Sequence, residues 1–164
     1  MTKILLSLHV LAAIVAVGPV TVAASMFPAA ARRVPVAATV GGADGAAAGD
    51  AGGVGTVRLL HRICRVYAGL GIAVPVLGFA TAAAMGVLSD AWLVASITLT
   101  AVAAGLLAAF VLPGQEELLE ELADGRPVER ARTARLAMFT GVFNLLWATV
   151  TVLMIVRPGS TTGA

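Results

Sequence analysis

Two histidines, a lone cysteine, a mid-run asparagine and nine clustered arginines are the residues of this 164-residue chain whose types and spacing bear on chemistry. His9 lies inside a long apolar run. Neutral imidazole is the usual nitrogen ligand for haem, copper or zinc, and an ionisable group at membrane depth is a functional-site candidate by default. The competing role is a histidine hydrogen-bonded to a neighbouring helix. His61 and Cys64, at i and i+3, share one helix face and supply two soft-metal ligands, with only Met26 or Met138 available to complete a site. Arg58, Arg62 and Arg65 form a basic stripe at i, i+4 and i+7. It suits either anionic lipid headgroups or pairing with Glu116, Glu117, Glu120 and Glu121. Asn144, with Thr140 one turn before it, is an intramembrane polar contact of the kind that hydrogen-bonds between helices.

These groups must be positioned by four apolar runs: Ile4 to Phe27, Val66 to Leu88, Ala91 to Leu112 and Ala134 to Val156. Each has at least 22 residues, and the only charge inside any of them is Arg135, at the edge of the fourth. A hydrocarbon core about 30 Å thick needs roughly 20 helical residues to cross. With 59% hydrophobic residues, 12% charged residues and a mean hydropathy of +0.96, the chain is not an ordinary soluble domain. The expectation is an all-α, four-transmembrane-helix antiparallel bundle forming a single integral membrane domain over residues 1–164, with the lipid bilayer as its first partner.

Alternating the connections across the membrane puts nine arginines on one face and only Lys3 and Arg157 on the other. The positive-inside bias then places both termini outside and both long connections in the cytoplasm. A cleaved signal peptide ending near Ala23-Ala24-Ser25 is the alternative, and it would carry all nine arginines across the membrane. On the sidedness adopted, His9 and His61 stand near opposite membrane faces, so one iron cannot take both. Met85 or Met154 is the candidate second ligand for a haem or metal on His9.

Pro28 is expected to end the first helix, and residues 36–55, rich in glycine and alanine, to form a flexible cytoplasmic linker. Thr56 is a candidate N-cap for the second helix. Pro75 should kink the second span. Ser89-Asp90 forms a tight link in which either side chain can cap the next helix, and Pro113-Gly114 should close the third span. A charged cytoplasmic helix is expected over 115–123, and Pro127 fits the first turn of the last helix. No span carries Asp, Glu or Lys, which argues against an ion-coupled transporter. No phosphate-cradling loop, catalytic triad or nucleic-acid signature is present.

Ser7-Leu8-His9-Val10-Leu11-Ala12-Ala13, followed by Gly18, resembles the opening helix of a predicted integral membrane family, domain-of-unknown-function family 2269. The arginine-rich approach to Pro75, the Leu112-Pro113 step before a charged helix, and Leu153-Met154-Ile155-Val156-Arg157-Pro158 agree with the same pattern. The resemblance implies a four-helix fold and no assigned activity. The first-helix pattern is also similar to copper-resistance membrane proteins of the CopD type and to protoporphyrinogen oxidases of the HemJ type. The function expected is that of a non-enzymatic accessory or assembly subunit of a bacterial inner-membrane complex, in contact with other subunits or with itself. No cofactor is required for that role. The alternative is a haem- or copper-handling protein built on His9.

Overall fold

A lipid-exposed backbone must satisfy its hydrogen bonds within the segment, which leaves the helix as the choice for each apolar run. All four runs are helical in a computed structural model, which describes residues 2–34 and 47–159. The elements are α1 (Thr2–Ala31), α2 (Ala47–Leu70), α3 (Ala73–Met85), α4 (Ala91–Leu106), a π turn (Leu107–Val111), α5 (Leu112–Ala123) and α6 (Arg130–Val156). Four rods are long and apolar enough to cross a membrane: Thr2–Ala31, Gly53–Met85, Ala91–Ala123 and Arg130–Val156. They form an all-helical four-helix bundle. No more than 22% of the apolar window of any rod is buried, and large residues such as Ile4, Ile14, Phe79, Leu145 and Ile155 point outward. Lipid is the solvent that makes such a surface stable.

Prolines shape three of the rods, at Pro28 and Pro113 differently from the expectation and at Pro75 in line with the kink expected there. Helix α1 runs through both Pro19 and Pro28 and ends only at Ala31, because in a membrane the alternative to a locally weakened helix is unpaired backbone. Pro75 interrupts the second rod four residues upstream: it has no N–H for the Gly71 carbonyl, and its ring crowds that turn. The chain therefore steps through Gly71-Ile72 between α2 and α3, with Gly71 N–H donating to Tyr67 O at 2.8 Å and Val74 N–H to Gly71 O at 3.1 Å. Pro113 does not close the third span. The π turn ahead of it, with Leu112 N–H donating to Leu107 O, shifts the hydrogen-bond register so that the ring fits at the start of α5.

Helix α2 begins at Ala47, so the last nine residues of the stretch read as linker, 47–55, are helical and Thr56 is not its N-cap. Residues 36–46 of that linker lie outside the described residues. The last helix starts at Arg130, after Pro127. Gly86, left-handed at φ 72°, caps α3. Asp90 occupies the N-cap of α4 without a side-chain capping bond; its carboxylate instead accepts the Trp92 indole N–H at 3.0 Å.

Packing is unequal along the bundle. At the end that holds the close of α1 and α5 (the loop end), Val20, Phe27, Val57, Cys64, Val111 and Phe143 belong to one continuous core. At the end that holds the start of α1, the end of α6 and the α3–α4 turn (the terminal end), Ala82, Trp92 and Leu93 form a smaller cluster among the described residues, with Val87 and Met154 against it. Helix α3 packs mainly on α1, and α4 on α6. The space between those two pairs is not filled by side chains.

Candidate functional site

That space is a cleft of about 1250 Å³ between the two packed clusters, lined by α1, α3, α4 and α6. Its walls are aliphatic and aromatic, from Leu6 and Val10 on α1 to Trp147 and Met154 on α6. Two residues with strongly polar side chains line it: His9 and Arg157.

His9 is clamped. Its Nδ1 lies 3.0 Å from the carbonyl of Val74 on α3. A carbonyl only accepts, so Nδ1 carries a proton, and in the neutral ring Nε2 then keeps its lone pair. One turn further along α3, Gly78 makes room for the ring: a Cβ there would stand 2.8 Å from His9 Cε1. Pro75, one residue after Val74, breaks the regular hydrogen bonding of the rod, and Gly78 permits the close approach. Nε2 has no hydrogen-bond partner among the described residues. A ring fixed through Nδ1–H to a carbonyl, with Nε2 bare, is the arrangement by which proteins orient a ligating histidine.

Met154 shares the cleft with His9, whereas Met85 is not among its lining residues. Among the described residues, no three His, Cys, Asp or Glu side chains converge in a way that could hold a metal ion. A free copper or zinc ion would therefore find one nitrogen and one thioether here. The residues present, one nitrogen and one thioether in an apolar slot, would fit a haem. The cleft exceeds the roughly 300–1000 Å³ of ordinary small-molecule pockets, so its size does not limit such a group.

His61 and Cys64 sit at the other end of the bundle. Thirteen residues separate His61 from Val74 along the α2–α3 rod, about 20 Å at 1.5 Å per residue, so the two histidines cannot share an iron. Sequence reasoning missed their actual partner, Gln115, which is fully buried. His61 Nδ1 lies 3.1 Å from Gln115 Oε1, and Gln115 Nε2 donates to Cys64 Sγ at 3.5 Å. The amide bridges the two side chains, His61 Nε2 also lies 3.6 Å from Glu116 Oε1, and Met26 and Met138, the expected completing ligands, are both exposed. This cluster ties α2 to α5. The signal for it was faint: Gln115 is the one uncharged polar residue at the head of an otherwise acidic helix.

The basic stripe divides. Arg65 lies 3.7 Å from Glu116. Arg58 and Arg62 are exposed and have no carboxylate within 4 Å among the described residues. Glu117 and Glu121 turn instead to Arg132 of α6, which donates to both, at 2.8 Å in the case of Glu117. Asn144 reaches across to α1, its Nδ2 donating to Ser25 Oγ at 3.0 Å. Thr140 takes no part in that contact: its buried hydroxyl, like Asn144 Oδ1, has no partner.

Neither family models, nor curated proteins, nor solved structures match this chain.

Proposed function

We propose that this chain is a non-enzymatic membrane protein that holds an apolar ligand in the cleft, with His9 as the residue that fixes it. One observation carries the proposal. A half-buried imidazole is locked through Nδ1 to Val74 O, and an uncompensated nitrogen remains in an apolar slot. Nε2 is not fully buried, so a ligand in the cleft that offers a Lewis acid or a donor can reach it. Haem is the ligand class the donor set suits best, and His9, with Met154, would hold it. When bound, haem would supply iron redox chemistry, and the chain would contribute orientation and an apolar surround.

The test is an absorption spectrum with metal analysis of protein purified from haem-replete membranes. A Soret band with stoichiometric iron, both lost in His9→Ala, supports the proposal. Their absence from the wild-type protein overturns the haem assignment.

A second reading is supported by the open flank between α3 and α4. There a transmembrane helix of another subunit can enter, which suits an accessory or assembly subunit of a larger complex. Co-purification of a fixed partner from native membranes tests it. A photo-crosslinker at Ile97, which is exposed and lines the cleft, would locate the contact. Both readings take the membrane to be a bacterial inner membrane, and the arginine asymmetry supports both termini outside.

A further inference from the structure

Arg157 is the second strongly polar residue lining the cleft, and His9 does not account for it. It is the one non-glycine residue with positive φ among the described residues (45°), a backbone conformation uncommon outside glycine. In that conformation its N–H caps α6 by donating to Leu153 O at 3.0 Å. The side chain folds back, with Nε donating to Met154 O at 3.4 Å and Cζ 5.7 Å from the Trp92 ring centroid. Trp92 is itself pinned to Asp90. The helix C-terminus and the indole face both favour a cation at this place.

They leave the guanidinium fork unused. Nε is engaged, and the four N–H donors on the terminal nitrogens have no acceptor among the described residues. No carboxylate lies within 4 Å of Arg157 among them, Asp90 being turned to the indole. No acidic residue lines the cleft. The slot therefore has a single formal charge, positive, held at its terminal end.

We propose that Arg157 is the anion-recognising end of the cleft, and that the ligand is an amphiphile with its carboxylate or phosphate at Arg157 and its apolar body in the slot. The proposal deepens the ligand-holding reading and rests on it. A tetrapyrrole carboxylate and a lipid carboxylate or phosphate share this chemistry, and the experiment separates them.

The full chain in neutral detergent is titrated with haem and with haem dimethyl ester, followed by the Soret shift. In parallel it is titrated with a fluorescent fatty acid and its methyl ester, followed by fluorescence. Esterification removes the anion and keeps the apolar body. The expected result is binding of at least one acid about tenfold or more tighter than its ester, the worth of a charge-assisted hydrogen bond. That preference should disappear in Arg157→Gln and persist in part in Arg157→Lys. Preference within the haem pair assigns the anion to a tetrapyrrole; preference only within the fatty-acid pair assigns it to a lipid, and the haem assignment falls while the proposal stands. Equal binding of acid and ester by the wild-type protein overturns the role of Arg157 and leaves that of His9 intact. Binding of none of the four overturns both.

Discussion

Gly78→Ala isolates the contact on which the His9 site depends. The added Cβ would stand 2.8 Å from His9 Cε1 and 3.2 Å from Nδ1, whereas non-bonded carbons settle at about 3.5–4.0 Å. The ring must withdraw from α3 by about 0.7 Å or more to restore ordinary contact. Val74 O is on the same helix, one turn away, so the same withdrawal stretches the Nδ1 bond from 3.0 Å towards about 3.7 Å, beyond hydrogen-bonding range. Overpacking costs about 1–3 kcal/mol, and the lost bond adds about 0.6 kcal/mol, the average for polar contacts between membrane helices. The better helix propensity of alanine returns up to about 1 kcal/mol. The net expectation is a loss of about 0.6–3.6 kcal/mol on these terms. Gly141→Ala, where a Cβ would meet nothing within 4 Å, serves as the control and should be neutral or stabilising. Reversible unfolding in mixed micelles, followed by far-ultraviolet circular dichroism, reads both. His9→Ala combined with Gly78→Ala should cost less than the sum of the single changes, because the ring that clashes is gone. If Gly78→Ala matches Gly141→Ala in stability, the ring does not occupy this position and the tautomer assigned to His9 loses its basis.

Other expectations concern the rest of the bundle. Gln115→Leu removes the partner of both His61 and Cys64 and should destabilise the loop end by about 1–3 kcal/mol; in the same unfolding assay, an unchanged midpoint would show that the buried amide is dispensable. Asn144→Leu loses the bond to Ser25 but also the unpartnered Oδ1, so the two effects should nearly cancel, and a loss above about 1.7 kcal/mol, the largest typical for such contacts, would mean the carbonyl has a partner. Arg132→Ala frees Glu117 and Glu121; as the pairs are partly exposed, the cost should be near 1 kcal/mol and shrink with added salt, and a salt-independent loss would argue against an electrostatic origin. For sidedness, a cysteine at Ser89 in a Cys64→Ser background should react with a membrane-impermeant maleimide in intact cells and one at Glu120 only after permeabilisation; the reverse pattern would invert the topology.

The number of rods and their apolar surface were legible in the chain, because crossing lipid imposes a length and a composition that no tertiary contact can alter. Local rules became less dependable where lipid changed the penalty. Pro28 and Pro113 read as terminators, yet the helix continues through one and widens to a π turn before the other, since an interrupted backbone costs more in hydrocarbon than a strained one. His9 stood out by residue type alone. That its ring is clamped against Val74 and Gly78, that Gln115 fills the space beside His61 and Cys64, and that Arg132 takes the glutamates expected to meet Arg58 and Arg62 depended on partners 11 to 65 residues away. The sequence determined what each helix must face, namely lipid. Only the tertiary structure decided which helices pair, because among apolar rods in an apolar solvent close packing and a few polar contacts choose the neighbours, and those choices leave the cleft open between α3 and α4.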